Sequence, residues 1–414
     1  MTLSENQRER MLNESIPKLV NSLAVPTLII QIITLVYNTA DTYFVSQINK
    51  SASAAVGAMY AVMALIQAVG YGFGMGAATL ISIKLGEKED EKANVISSSA
   101  FYGAFAVALL LSTAGLIFFD ELMDLLGCSN TLFPYAKPYA RCILIAAPMT
   151  CSSFVLNNIL RAEGQSKISM YGMVTGGILN VVLDPLFIFT FKMGTFGAAL
   201  ATVISQLVSF IILIIQFIRG KSILHLKIKN ISKDIKIYGL IVATGVPTFF
   251  RQGLSSIATA ALSRQAVVYG DAVLAAITIA NKCYFFLRNI VLGVGQGFQP
   301  VAGYNYGAKI YKRTKDAFYY VTKVGTVVCT LSAVLIAVFA KQIILWFCPD
   351  SQVLEYGVKT IYFACAVMPF MAFQPMSISF SNASAINSKQ LYWRLAGRGY
   401  AFCRQCSSCR CLSA

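Results

Sequence analysis

Charged side chains are scarce in this sequence, and histidine is almost absent. Only 13% of the 414 residues are charged, and His225 is the single histidine. One histidine excludes a histidine-based metal site and a Ser-His catalytic triad, so we expect no enzymatic activity and no metal cofactor. The chain is 57% hydrophobic, with a mean hydropathy of +0.64. A water-soluble domain cannot bury that much apolar surface, which indicates an all-α polytopic membrane protein.

Acidic residues are scarcer than basic ones, and the net charge is +16. The bases cluster in loops that would share one side of a membrane: Arg8, Arg10, Lys18, Lys84, Lys88, Lys92, Arg161, Lys167, Arg219, Lys221, Lys227, Lys229, Lys233, Lys236, Lys309, Lys312, Arg313 and Lys315. The other side holds fewer bases and the acids Asp120, Glu121, Asp124 and Asp350. This distribution follows the positive-inside rule, with the N-terminus in the cytoplasm, and it argues against nucleic-acid binding.

Apolar segments of membrane-spanning length recur along the chain. They cover about 17–47, 54–84, 94–118, 139–160, 168–191, 197–218, 238–268, 273–303, 316–340 and 355–380, which we number spans 1–10. Residues 1–18 are polar and the first span is too long for the core of a signal peptide, so we expect no cleavage. Seven cysteines up to Cys365 are scattered singly, which favours small apolar packing residues over disulfides.

An internal repeat divides the chain. An offset of 221 residues aligns Val25-Pro26-Thr27 with Val246-Pro247-Thr248 and aligns Gly72, Gly74, Gly76 and Gly86 with Gly293, Gly295, Gly297 and Gly307. The repeat predicts two parallel helical bundles, at 1–218 and 238–388, joined by a basic connector at 219–237. The repeated G-x-G-x-G lies inside spans, which favours close helix packing over phosphate binding.

One acid interrupts the apolar sequence ILNVVLDPLFIFTF, which runs from Ile178 to Phe191. Asp184 follows Asn180 by four residues, so both side chains lie on one face of a helix. Pro185 donates no backbone hydrogen bond and should free the carbonyl of Val181. Asp41 in span 1 is a second intramembrane acid, and Thr202 in span 6 offers a hydroxyl. These oxygens suit a hard cation or a proton, although Asp184 could instead be a neutral structural acid bonded within the bundle.

The acids belong to one half of the repeat. Asp41 aligns with Leu262, and the spans of the second half contain no acid. We therefore expect ion binding in the first bundle. Asn157 and Asn158 in span 4 either line the same cavity or hold helices together.

Four stretches carry a family resemblance: VYNTADTYFVSQI, GGILNVVLDPLFIF, GTFGAALATVISQ and GVGQGFQPVAGYNYGAKIYKRTKDA. They closely resemble the multidrug and toxic compound extrusion (MATE) family over about residues 15–388. The resemblance implies two six-helix bundles facing a central cleft, and antiport of organic cations against sodium or protons by alternating access. It implies a cation site at Asp41, Asn180, Asp184 and Thr202, with Tyr37 and Asn157 lining the same cavity. It also implies a monomer in a bacterial cytoplasmic membrane that exports cationic or amphipathic small molecules.

Three alternatives stay open. A related flippase for lipid-linked precursors would need a strongly basic cleft, which Arg251, Arg264, Lys282 and Arg288 in spans 7 and 8 would supply. The stretch 389–414 stands where spans 11 and 12 are expected but contains five bases and four cysteines. The cysteines of this stretch could form a metal-binding tail, but a frameshifted tail is favoured. A frameshift would leave the second bundle with four spans, and the chain would then be an inactive truncated transporter.

Overall fold

The computed structural model is built of helices joined by short turns. It describes residues 3–126, 128, 132–268, 271–347, 350–373, 376 and 377, apart from the side chain of residue 50 and several side chains between 249 and 274. The predicted tail at 389–414 lies outside these residues. The α-helices in the described ranges are α1 Leu3–Asn13, α2 Ile16–Ser46, α3 Lys50–Gly86, α4 Asp90–Ile117, α5 Phe119–Leu125, α6 Phe133–Ala162, α7 Ser166–Pro185, α8 Gly194–Ile218, α9 Ile235–Val268, α10 Asp271–Gly307, α11 Tyr311–Val338, α12 Ala340–Phe347 and α13 Ser351–Met371.

The predicted spans correspond to the long helices. Nine helices of the described part are long and apolar enough to cross a membrane, and they account for all the predicted spans except the seventh. The seventh falls on α9, a helix of 34 residues whose first part, Ile235–Thr248, is apolar. The multi-pass helical fold is therefore confirmed.

The repeat seen in the sequence is also present in the helix boundaries. Both ends of α10 lie 221 residues after the ends of α3, and the same holds for α11 and α4. The turn that follows α3 places Lys88 at φ 66°, and the turn that follows α10 places Lys309 at φ 61°. Two lysines in the same left-handed conformation, which residues with a Cβ rarely adopt, indicate that the two turns were duplicated together.

The two halves pack against each other through equivalent helices. We call α2–α8 the first bundle and α9–α13 the second bundle; their limits at 218 and 238 remain a prediction from the repeat. Helix α2 packs on α10, and α3 packs on both α9 and α10. Since α2 and α9 are repeat equivalents, as are α3 and α10, the contacts between the bundles are related by a pseudo-twofold axis.

Glycine backbones form these contacts on the α3 side. A Cβ added to Gly76 would overlap the carbonyl oxygen of Ile241 on α9, and one added to Gly245 would overlap the carbonyl oxygen of Gly72. Backbones this close are possible only where one partner has no side chain. The structure therefore gives the predicted close packing a location, which is the boundary between the bundles.

The other side of the boundary repeats this arrangement. A Cβ at Gly293 of α10 would lie 2.9 Å from Cδ2 and 3.1 Å from Cα of Leu28 on α2. The ends of α3 and α10 also touch. A Cβ on Gly86 would overlap the carbonyl oxygen of Tyr304, and a Cβ on Gly307 would overlap the carbonyl oxygen of Ile83. We call this set of contacts, at glycines 72, 76, 86, 245, 293, 297, 303 and 307, the glycine seam. It lies in the half of the molecule where α2 and α9 begin and α3 and α10 end.

The connector is held by the first bundle. Glu163, between α6 and α7, accepts hydrogen bonds from the Ser222 hydroxyl at 2.6 Å and the Ile223 N–H at 2.9 Å. Burial raises the pKa of Glu163 to about 8, so the carboxyl group is largely uncharged at neutral pH. The Ser232 N–H also donates to the Ser99 hydroxyl of α4 at 2.9 Å. The connector is therefore part of the first bundle's surface up to the start of α9.

Gly76→Ala tests the glycine seam. The added methyl group meets the backbone of Ile241, so α3 and α9 must separate, and we expect a destabilisation of roughly 1–3 kcal/mol. Thermal unfolding of the detergent-solubilised protein measures the effect. Gly57→Ala, on the same helix but outside the seam, is the matched control because its Cβ would meet nothing within 4 Å. Equal melting temperatures for the two variants would show that the seam is not tightly packed.

Candidate ion-binding site

Helix α7 presents its small and polar residues to its neighbours. Gly172, Gly176, Asn180 and Asp184 recur every four residues and are all buried. A Cβ on Gly176 would overlap the Ser209 hydroxyl of α8, so glycine lets the two helices approach closely. This packing brings the polar end of α7 against both α8 and α2.

Asn180 connects two of the predicted site residues. Its side-chain N–H groups donate to Asp184 Oδ1 at 3.4 Å and to Thr202 Oγ1 at 3.4 Å. The Thr202 hydroxyl donates in turn to the Ala198 carbonyl at 3.1 Å. Asp184 is 0% exposed and Asn180 is 3% exposed. The structure thus joins Asn180, Asp184 and Thr202 in one buried cluster.

Pro185 changes the helix directly after the acid. The α-helix ends at Pro185, and Leu186–Thr190 form a π-helical turn. Proline has no N–H to continue the regular bonding pattern, so the chain moves to a wider turn. Such a turn is frequent at functional sites, and here it borders the Asp184 carboxyl group.

Asp41 reaches the cluster from α2, which packs along α7. The carboxyl groups of Asp41 and Asp184 are close enough to interact electrostatically. Tyr37 lies one turn before Asp41, and its Cδ1 would be 3.4 Å from a Cβ on Gly177 of α7. The two acids, 143 positions apart in the sequence, therefore share one site.

Three oxygen atoms of this site are buried and accept no hydrogen bond from the described residues: Asp41 Oδ1, Asp184 Oδ2 and Asn180 Oδ1. Buried polar atoms are normally paired, so each of these needs an explanation. Two carboxylate oxygens and an amide oxygen are ligands for a hard monovalent cation, and either carboxylate can take up a proton. A small cation or a proton between α2 and α7 would supply the missing partner, and its binding here stays a prediction.

Asn157 lies in a different environment. Its side chain donates to the Ser169 hydroxyl of α7 at 2.7 Å, and that hydroxyl donates back to the Asn157 carbonyl at 3.3 Å. Its neighbour Asn158 accepts a hydrogen bond from Arg161, which also donates to Gln296 of α10. The sequence left two roles open for Asn157 and Asn158, lining the cavity or holding helices together. These contacts match the second role.

The MatE family model matches residues 26–186 and 247–397. The chain belongs to the MatE family. The multidrug export protein MepA of Staphylococcus aureus is 27% identical over 333 residues, which are 80% of this chain and 74% of that protein. MepA of Staphylococcus haemolyticus is 27% identical over 340 residues, covering 82% of this chain and 75% of that protein.

Solved MATE structures have the same fold. A crystal structure of MATE in complex with MaD3S aligns with a TM-score of 0.85 and 25% identity, over 92% of this chain and 86% of that one. The outward-facing conformation of a multidrug resistance MATE family transporter aligns with a TM-score of 0.83 and 26% identity, with the same coverage. The resemblance noted in the sequence is therefore confirmed at the level of family and fold.

Tyr139 lies next to the candidate ion site, although the sequence of this MatE protein gave no reason to expect it there. It is fully buried on α6 and interacts electrostatically with Asp41, Asp184 and Tyr37. Its hydroxyl donates to Met63 Sδ at 3.4 Å. An aromatic residue in an apolar span is usually a packing residue, so only the packing of α6 on its neighbours identifies it.

The cations that would favour a flippase are only partly described. The side chains of Arg251 and Arg264 lie outside the described residues. Lys282 is exposed, and the Arg288 guanidinium lies 5.7 Å from the centre of the Phe285 ring. A strongly basic cleft therefore stays a prediction.

Asn180→Ala tests whether the site binds a cation. A ligand that binds the folded state raises its stability by mass action, so we expect the unsubstituted protein to melt at a higher temperature with added Na⁺ or at lower pH. Asn180→Ala should weaken that response, because it removes an amide oxygen and the donor to Asp184 and Thr202. A sodium series at fixed pH and a pH series without sodium separate the two ions.

Asn157→Ala is the matched control. It should lower the melting temperature through loss of about 1 kcal/mol of hydrogen bonding, yet keep the response to the ion. A full response in Asn180→Ala, or its loss in Asn157→Ala, would contradict the assignment.

Proposed function

We propose that this protein exports organic cations and amphipathic compounds in exchange for sodium ions or protons, by alternating access. The observation that carries the proposal is a pair of acids between apolar helices: Asp184 is fully buried, Asp41 is half-buried, and each has one buried oxygen that accepts no hydrogen bond from the described residues. An acid within a membrane span is costly and marks ion or proton pathways. The relatives named as multidrug export proteins support the same conclusion.

The acid pair also explains how an ion gradient drives export. Two carboxyl groups that interact electrostatically are not readily charged together without a cation. A small cation or proton and a positively charged substrate both reduce this repulsion. If their binding is mutually exclusive, entry of the ion favours release of the substrate, and the coupling is equal in both directions.

The surroundings of the acids suit flat, positively charged molecules. Tyr37 and Tyr139 both interact electrostatically with Asp41, so two phenol rings lie near the carboxyl groups. Aromatic faces attract organic cations by about 0.5–2 kcal/mol. Ring stacking adds contact without demanding one substrate shape, which suits export of many compounds.

The distribution of charge orients the protein. The basic connector and the Lys84, Lys88 and Lys92 turn lie at the same end of the helices as the N-terminus. By the positive-inside rule, this end would face the cytoplasm, with the protein in a bacterial cytoplasmic membrane. The glycine seam closes that end, so the bundles would face the outside in the described conformation.

One chain suffices for two bundles and a cleft, which supports a monomer.

Asp184→Asn should abolish ion-driven efflux of ethidium while the protein remains inserted in the membrane. The amide has nearly the same shape but neither binds a proton nor carries the charge for a cation. Asp41→Asn should behave alike. Efflux is measured by fluorescence in everted vesicles energised by a pH gradient or by a sodium gradient, and the gradient that works identifies the ion.

Leu262→Ala is the control, because Leu262 occupies the position equivalent to Asp41 in the second bundle. It should lower efflux only through packing. Normal efflux by Asp184→Asn would refute the site, and a loss at Leu262 as severe as at Asp41 would refute the asymmetry between the bundles.

A further inference from the structure

The short helix α1 lies outside the membrane-spanning set and contacts both bundles. It contains eleven residues, most of them polar, yet Met11 is 0% exposed. Met11 packs with Gln7 against Gly164 in the turn between α6 and α7. A polar helix that buries its methionine here is docked on the protein and does not extend freely from it.

The first bundle holds α1 by charge. Arg8 Nη2 donates to Asp90 Oδ1 at 2.8 Å, and Arg8 Nε donates to the Leu85 carbonyl at 2.7 Å. The Ser4 hydroxyl donates to the other Asp90 oxygen at 2.8 Å. These bonds fix α1 across the turn where α3 ends and α4 begins.

The second bundle holds the other end of α1 by its backbone. Asn305 of α10, which is 0% exposed, donates to the Met11 carbonyl at 3.3 Å. Arg313 of α11 donates to the Glu14 carbonyl, just after α1 ends. Arginine and asparagine donors satisfy the carbonyl groups that a helix end leaves without partners in its own helix.

These anchors are at the end of the glycine seam. Leu85 adjoins Gly86, which contacts Tyr304, and Asn305 follows Tyr304 directly. Helix α1 therefore crosses the line along which the two bundles meet. The bundles cannot separate at this end unless α1 loses its bonds to one of them.

We propose that α1 is a strap that holds the glycine seam closed, and that the seam opens when Asn305 and Arg313 release the end of α1. The bonds that break are those to the second bundle, because α1 is covalently joined to α2 and paired by charge to Asp90 in the first bundle. The strap would set how often the transporter opens toward the N-terminal side. That consequence for transport rests on the proposed function, whereas the state of the seam can be measured by itself.

Ser82→Cys provides the reporter. Ser82 is 0% exposed, and a Cβ on Gly303 would overlap its hydroxyl, so a thiol introduced here reacts with a soluble maleimide only when the seam opens. Arg313→Ala in this background should raise the rate at which the introduced thiol is modified roughly fivefold, as expected for one lost hydrogen bond. Asn305→Ala should do the same. Peptide mass spectrometry identifies the modified cysteine in the solubilised full-length protein.

Two controls make the result decisive. Lys312→Ala removes an exposed cation next to Arg313 and should leave labelling of the introduced thiol unchanged. Cys151 is native, 0% exposed and inside the first bundle, so its modification in the same sample reports general unfolding. Equal rates in Arg313→Ala and Lys312→Ala would overturn the strap, and so would a parallel rise at Cys151. Loss of ethidium efflux with unchanged labelling of the introduced thiol would count against the strap and not against the ion site.

Discussion

Two carboxyl groups held between apolar helices, one fully buried and one half-buried, are the constraint on which this structure depends. Each charged acid costs at least about 2.5 kcal/mol at the centre of a bilayer, so the site is stable only when its charge is shared or neutralised. Asn180 shares part of it through its hydrogen bond to Asp184. The buried oxygens Asp41 Oδ1 and Asp184 Oδ2 accept none from the described residues. A membrane protein that keeps such groups is expected to respond to ions, and this expectation is the basis of the proposed coupling to a gradient.

The contacts between the bundles are duplicated, whereas the acids of the candidate ion site are not. Gly86 meets Tyr304 and Gly307 meets Ile83 at positions that the repeat makes equivalent, so the two bundles meet symmetrically. The acids break this symmetry, since Leu262 stands where Asp41 would recur. The contact between the bundles is thus symmetric, whereas the proposed ion site belongs to the first bundle alone.

The sequence predicted what depends on local spacing, such as the helix boundaries and the partnership of Asn180 with Asp184. Contacts that depend on how helices rotate against each other were not predictable. Nothing in the spacing of Asn157 indicates that it bonds Ser169 on the next helix. Likewise, the polar composition of α1 suggests a solvated N-terminal segment, whereas its docking depends on Asn305, which is 294 residues away from its partner in the sequence. Long-range packing fixes these positions, and a single sequence does not encode it in a readable pattern.

Helix α2 links the ion site to the strap. Its second half carries Asp41 against α7, its first half packs Ala24 and Leu28 against α10 in the glycine seam, and α1 precedes it directly. Pro26 lies in the first half and removes a backbone hydrogen bond, so the helix can bend there at a low cost. Any shift of α2 at its Asp41 end would reach the seam and the strap along one continuous helix. The bonds from the second bundle to the end of α1 oppose such a shift.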